Sequence, residues 1–130
     1  MKYPFDGSQG LILVDARVDG PTGHTHMVLA LDTGATSTLI NLERLVSIGY
    51  DPVSSADRSR VVTGSGLEFV AQLRVERVVA LGRERTSFAI AAHTLPPAVG
   101  VDGLLGLDFL RGSHLTIDFE KGLISLADTP

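Results

Sequence analysis

Met27-Val28-Leu29-Ala30-Leu31-Asp32-Thr33-Gly34-Ala35-Thr36-Ser37 decides how this chain is read. An apolar strand runs into an aspartate, and small residues follow at once. A carboxylate at the end of a buried strand is costly to place unless it is hydrogen-bonded or used. Gly34 and Ala35 let the backbone turn tightly, so its N–H groups can approach the carboxylate, and Thr33 sets a hydroxyl beside it. These parts suit half of a two-carboxylate site, in which one carboxylate meets a second and shares a single proton with it. The plainer alternative is an Asx-turn in which Asp32 only caps its own loop.

The neighbouring sequence supports a strand that delivers Asp32 at its end. Leu11 to Asp19 and His24 to Leu31 are apolar and β-branched enough for strands, joined by the turn cluster Gly20-Pro21-Thr22-Gly23. Thr38-Leu39-Ile40 is a short extended piece. Asn41 can cap a helix over Leu42 to Ile48, with Gly49 as its stop. Tyr50 to Ser59 is polar and holds Pro52, which predicts a loop. Arg60 to Thr63 and Leu67 to Val70 form a hairpin with Gly64-Ser65-Gly66 at its tip. Two further strands are expected around Leu73 to Leu81 and Thr86 to Ala92, and a loop from Thr94 to Val101 through Pro96 and Pro97. Gly103-Leu104-Leu105-Gly106 is a short apolar strand bracketed by glycines, and Leu107 to Arg111 a short helix stopped by Gly112. A last hairpin pairs Leu115 to Phe119 with Leu123 to Leu126. Many short strands with two small helices predict a mainly β, small, closed, barrel-like domain.

Length and composition bound the rest. The chain has 130 residues, enough for one domain with a real core, and residues 1–130 read as that single domain. It has no cysteine, which excludes disulfides, thiolate metal sites and a cysteine nucleophile. A formal charge of -4 argues against nucleic acid as a partner. No run is long enough to span a membrane, and Met1 to Gly7 shows no apolar signal region, so a cytoplasmic location is expected.

The order of parts resembles the retropepsin-like aspartic proteases, in their cellular and bacterial form. The resemblance rests on Leu31-Asp32-Thr33-Gly34-Ala35-Thr36, on Leu39-Ile40 with the helix ending at Gly49, and on Gly103-Leu104-Leu105-Gly106-Leu107-Asp108-Phe109-Leu110. The tail Leu115-Thr116-Ile117-Asp118-Phe119 is similar to the cellular and bacterial members more than to the viral ones. It implies an acid-protease half-domain that hydrolyses peptide bonds with Asp32, without metal or other cofactor. One Asp-Thr-Gly supplies half of the carboxylate pair, so the other half is expected from a second copy across a two-fold axis, with a peptide or protein as substrate. The resemblance further implies that Thr33, Gly34 and Ala35 support the dyad and that Gly103, Leu104, Leu105 and Gly106 pack behind the Asp loop. Val62, Thr63, Gly64, Ser65, Gly66 and Leu67 become a flap, with Phe69 beside it for apolar subsites. The terminal segments, Met1 to Phe5 and Leu123 to Pro130, are candidates for strands at the dimer interface.

The chain departs from the viral pattern at two places. Leu107 stands where viral members have an arginine that ties the dimer, and Thr36 and Ser37 stand where they place an acid. Two other readings compete: the same fold as a catalytically silent dimerisation or peptide-binding module, and a small β-barrel binder in which Asp32 shapes a turn. Other polar residues have plainer readings. Asp108 suits the first turn of the short helix, Asp118 faces solvent and Asp102 belongs to the turn before Gly103. His24 and His26 share a strand face without a third ligand, and His93 and His114 are isolated. Arg83, Glu84 and Arg85 read as a solvated turn cluster. Gly64-Ser65-Gly66 lacks the lysine of a phosphate loop, and no serine has the setting of a nucleophile.

Overall fold

A computed structural model of the chain describes residues 1–52, 58–63 and 66–128. Ten strands and two short helices follow in order: β1 (Lys2–Pro4), β2 (Leu13–Gly20), β3 (Gly23–Leu31), β4 (Leu39–Asn41), α1 (Leu42–Val46), β5 (Arg58–Thr63), β6 (Gly66–Ala80), β7 (Arg83–His93), β8 (Gly103–Leu105), α2 (Leu107–Leu110), β9 (Ser113–Asp118) and β10 (Leu123–Asp128). A 3-10 turn, Pro97–Val99, occupies the proline loop.

The strands make a closed six-stranded barrel with appendages. Its order is β2-β3-β8-β4-β7-β6, and β6 returns to β2 with Ala16 opposite Ala80 and Asp19 opposite Arg77. Closure removes the exposed edges that an open sheet would carry. β5 extends the sheet beyond β6 as a hairpin, with Val62 opposite Leu67 and Thr63 opposite Gly66. Gly64 and Ser65, expected at its tip, lie outside the described residues. A separate three-stranded sheet has the order β1-β10-β9.

Most elements stand where the residues place them. The hairpin into Asp32, the glycine-bracketed β8 and both helices are present. Asn41 caps α1 by accepting a hydrogen bond from Glu43 N–H at 3.2 Å, as its side chain predicts. Two expectations change. The strands expected on either side of residues 71–72 are one fifteen-residue strand, β6. Ala71-Gln72 contains no turn-forming residue, so nothing interrupts the ladder. Residues 123–128 do not form a free terminal edge, because β10 is paired on one side with β1 and on the other with β9.

The core fills the barrel. Leu29, Ile40, Leu45, Val75, Val78, Ile90, Leu105 and Phe109 are all at most 1% exposed. Each such side chain contributes roughly 1.5–3 kcal/mol by leaving water. β8 is the element that carries the core to the Asp32 loop. It runs parallel to β3, with Leu31 opposite Leu105, and antiparallel to β4, with Leu39 opposite Leu104. It therefore threads between two strands that are close in sequence to Asp32 and far from itself.

That threading leaves no room at Gly103. A Cβ there would overlap the carbonyl oxygen of Leu39 and stand 3.0 Å from the Ile40 Cα. Backbone cannot yield as a flexible side chain can. We expect Gly103→Ala to lose about 3 kcal/mol of stability. Gly10, with nothing within 4 Å of its missing Cβ, supplies the control, and Gly10→Ala should stay within about 0.5 kcal/mol of the parent. Urea unfolding of both variants measures the difference, and equal stabilities would contradict the threading.

Candidate active site

Asp32 sits where β3 ends and its backbone is still held on the β8 side. Its N–H donates to Leu105 O at 3.0 Å, just as Leu31 N–H donates to Ile12 O at 2.9 Å. Beyond it the chain turns. Gly34 N–H donates to Asp32 Oδ1 at 2.8 Å, and Ala35 N–H to Asp32 O at 3.2 Å. An Asx-turn thus orients the carboxylate. Asp32 is half-buried, while Thr33, Gly34, Thr36 and Ser37 are exposed. Asp32 Oδ2 has no partner among the described residues.

The back of this loop rests on the segment after β8. Leu107 N–H donates to Ala35 O at 2.8 Å. Gly106 is buried, and a Cβ there would stand 2.8 Å from the Ser37 carbonyl and 2.9 Å from Ala35 O. The glycine-apolar-apolar-glycine strand therefore has a concrete purpose in the fold. Leu105 fills the core, Gly103 passes β4, and Gly106 lets the Asp32 loop lie directly on the backbone behind it.

The loop is closed at its far end by Thr38 and Asp108. Thr38 is fully buried and is the one buried polar side chain among the described residues. Its N–H donates to both Asp108 carboxylate oxygens, at 2.9 and 3.0 Å, and its hydroxyl donates to Oδ1 at 2.7 Å. The same hydroxyl accepts from Gly106 N–H at 3.1 Å. Asp108 also accepts from Phe109 N–H at 2.8 Å, as an acid in a first helical turn does. The carboxylate is thus occupied by Thr38 and its own helix.

Both arginines of the expected solvated cluster make contacts across the fold. Arg85 donates to Phe109 O at 2.8 and 3.0 Å and to Arg111 O at 2.7 Å, satisfying carbonyls at the end of α2. Its guanidinium lies 5.7 Å from the Phe109 ring centroid and 6.0 Å from that of Phe88. Arg83 hydrogen-bonds the Ser113 hydroxyl. A guanidinium reading carbonyls across the fold leaves no local sequence pattern, so composition at the turn showed only charge.

The remaining acids are also engaged. Asp102 Oδ2 accepts from Val28 N–H at 2.9 Å, and its Oδ1 lies 3.3 Å from Arg44 Nε. It buttresses β3 rather than only shaping its own turn. Asp118 Oδ1 accepts from Glu120 and Lys121 N–H, both at 3.0 Å, which makes it the cap of the last turn. His24 and His26 are exposed and meet edge to face at 5.5 Å. No group of three or more potential metal ligands occurs among the described residues. No helix among them is long and apolar enough to cross a membrane.

The structure lays the loop Asp32-Thr33-Gly34-Ala35 against the segment Gly103-Leu104-Leu105-Gly106. Thr38 is the residue that sequence reading passed over. A hydroxyl between the exposed loop and the buried pair Leu39-Ile40 must find a partner, and an aspartate two residues after Gly106 is a candidate for it.

Comparison with known proteins agrees with this geometry. A family model described as aspartyl protease matches residues 14–109, which span both the Asp32 loop and β8. The solved structure of a retropepsin-like aspartic protease from Rickettsia conorii is similar with a TM-score of 0.65 and 20% sequence identity, over 98% of this chain and 91% of that chain. A search of curated proteins finds no match. With the family match covering well over half its length and a retropepsin-like fold, the chain belongs to the aspartyl protease family.

Proposed function

We propose that the chain is an aspartic endopeptidase that works as a homodimer, with Asp32 of each copy forming the catalytic pair. The observation that carries this reading is the state of the Asp32 loop. One carboxylate oxygen is fixed by Gly34 N–H, the other has no partner among the described residues, and the loop around it is exposed. Asp102 and Asp108, the acids on either side of β8, are already committed, to Val28 and Arg44 and to Thr38 and Phe109 respectively. The second carboxylate then comes from a second copy across a two-fold axis.

The chemistry follows from two carboxylates that share one proton. Two negative charges held close repel, which favours the pair keeping one proton between them. The ionised carboxylate takes a proton from water as its oxygen attacks the peptide carbonyl. The protonated one hydrogen-bonds the carbonyl oxygen and gives its proton as the tetrahedral centre forms. Collapse breaks the C–N bond, and the amine leaves with a proton returned from the dyad. Thr33 and Gly34 keep the loop small and polar where two copies meet. The β5–β6 hairpin, carrying Val62, Thr63, Gly66 and Leu67, serves as the flap that shuts water out. β1 and β9 are the open edges of the terminal sheet, and Pro4 deprives β1 of one donor, so β9 offers the longer pairing edge to the second copy.

Asp32→Asn should keep the fold and abolish cleavage of a peptide library at mildly acidic pH, because an amide cannot take the proton. Undiminished cleavage by the variant would remove Asp32 from the reaction. Specific activity should rise with protein concentration until the dimer saturates. Constant specific activity at dilutions where sedimentation shows only monomer would contradict a shared site.

Cleavage should be strongest on the acidic side and fade as the pair loses its second proton. A peptide mimic with a hydroxyl in place of the scissile carbonyl should inhibit, and a chelator should not. Inhibition by chelator with indifference to the mimic would contradict the mechanism. Mimic or peptide binding without turnover at any pH would identify a silent binding module instead.

A further inference from the structure

We propose that Thr38 and Asp108 are positioning residues for Asp32: their buried hydrogen-bond cluster fixes the exit of the Asp32 loop against α2 and so sets where the carboxylate points. This rests on the reading of Asp32 as the catalytic carboxylate. The loop enters the site from a well-paired strand, but it leaves through residues without strand pairing. Between Ala35, which is held by Leu107 N–H, and β4 at Leu39, Thr36 and Ser37 are exposed. Thr38 is the first residue after them to be fixed, and it is fixed three ways. Its N–H and hydroxyl donate to Asp108, its hydroxyl accepts from Gly106 N–H, and its carbonyl accepts from Ala91 N–H at 2.9 Å.

Arg85 and the buried Phe109 hold the far end of α2, while its start meets this cluster. α2 is a four-residue helix whose cap residue, Gly106, makes no side-chain cap bond. Helices of that length have little stability of their own. Asp108 therefore ties the two backbones to each other, the loop exit on one side and the start of α2 on the other. Gly106 lies between them, so close to the loop that a Cβ on it would stand 2.8 Å from the Ser37 carbonyl and 2.9 Å from Ala35 O. A loosened Thr38 would let the loop lift from Gly106 and turn the Asp32 carboxylate.

The consequence is amplified by the two-fold arrangement. Two carboxylates share a proton only at close range, and hydrogen bonds of this charged kind are about 2.5–2.7 Å long. A change in the sequence alters both loops at once, so a displacement enters the dyad from both sides. Misplacement by an ångström is enough to cost about a hundredfold in rate.

The test compares Thr38→Val, which keeps the shape and removes the hydroxyl, with Thr38→Ser, which keeps the hydroxyl. Thr38→Val should lower kcat by about 100-fold while KM changes little, and Thr38→Ser should restore most of kcat. Amide hydrogen exchange is measured on the same proteins. In Thr38→Val the Gly34, Ala35 and Leu107 amides should exchange about tenfold faster, with the β6 and β7 amides unchanged as reporters of global opening. Asp108→Asn, which removes the charge and one acceptor, should repeat this pattern and stands in if Thr38→Val does not fold. A wild-type kcat in folded Thr38→Val would overturn the proposal and leave the cluster a purely structural one. Unchanged loop exchange would overturn it as well. If the parent protein cleaves nothing, the endopeptidase reading fails on its own, and the exchange comparison still decides whether this cluster holds the loop.

Discussion

The close passage of Gly103 to Gly106 beneath the Asp32 loop is the constraint on which the rest of the structure depends. β8 reaches β3 and β4 from more than sixty residues downstream and fits only because Gly103 has no Cβ to meet Leu39 and Gly106 none to meet Ser37. The insertion closes the barrel on one side and builds the floor of the site on the other. Leu105 takes the middle position and is fully buried, so the apolar energy of the core is applied directly under the carboxylate. The site is therefore not an appendage of the fold. The same three backbone strands that complete the barrel hold Asp32 in place.

Polar groups then finish what packing begins. The turn after Asp32 is closed by Gly34 N–H on the carboxylate and Leu107 N–H on Ala35. Thr38 and Asp108 satisfy each other at the one buried hydroxyl among the described residues. Arg85 spans from β7 to the carbonyls that end α2. Each of these bonds removes the cost of an unpaired group in a partly dry setting, which matters more than its net strength. Leu107 brings no charged side chain, and the rear of the loop is tied by backbone bonds and by Asp108.

Much of this was legible in the sequence because it depends on local patterns. The apolar run into Asp32, the glycines around Leu104-Leu105 and the Asn41 cap are short-range signals, and the structure places them as read. The unbroken β6 was harder, since hydropathy alone does not tell a continuous long strand from two short ones without a turn residue to inspect. Arg85, Thr38 and the sandwiched position of β10 were not legible. Each depends on a contact between distant segments: Arg85 with Arg111, Thr38 with Asp108, and Lys2 with Ser125. Residue type restricts such partners but does not choose among them.

The central claim is that one active site is made by two copies of this chain. Its most direct measurement mixes the parent protein with Asp32→Asn in known ratios, at a fixed total concentration that saturates the dimer, and allows the subunits to exchange. If each site needs two Asp32 carboxylates, mixed dimers are inactive and the rate follows the square of the parent fraction. An equal mixture then gives about a quarter of the parent rate. A rate that falls in simple proportion, to about half at an equal mixture, would show that each chain cleaves by itself and would contradict the account.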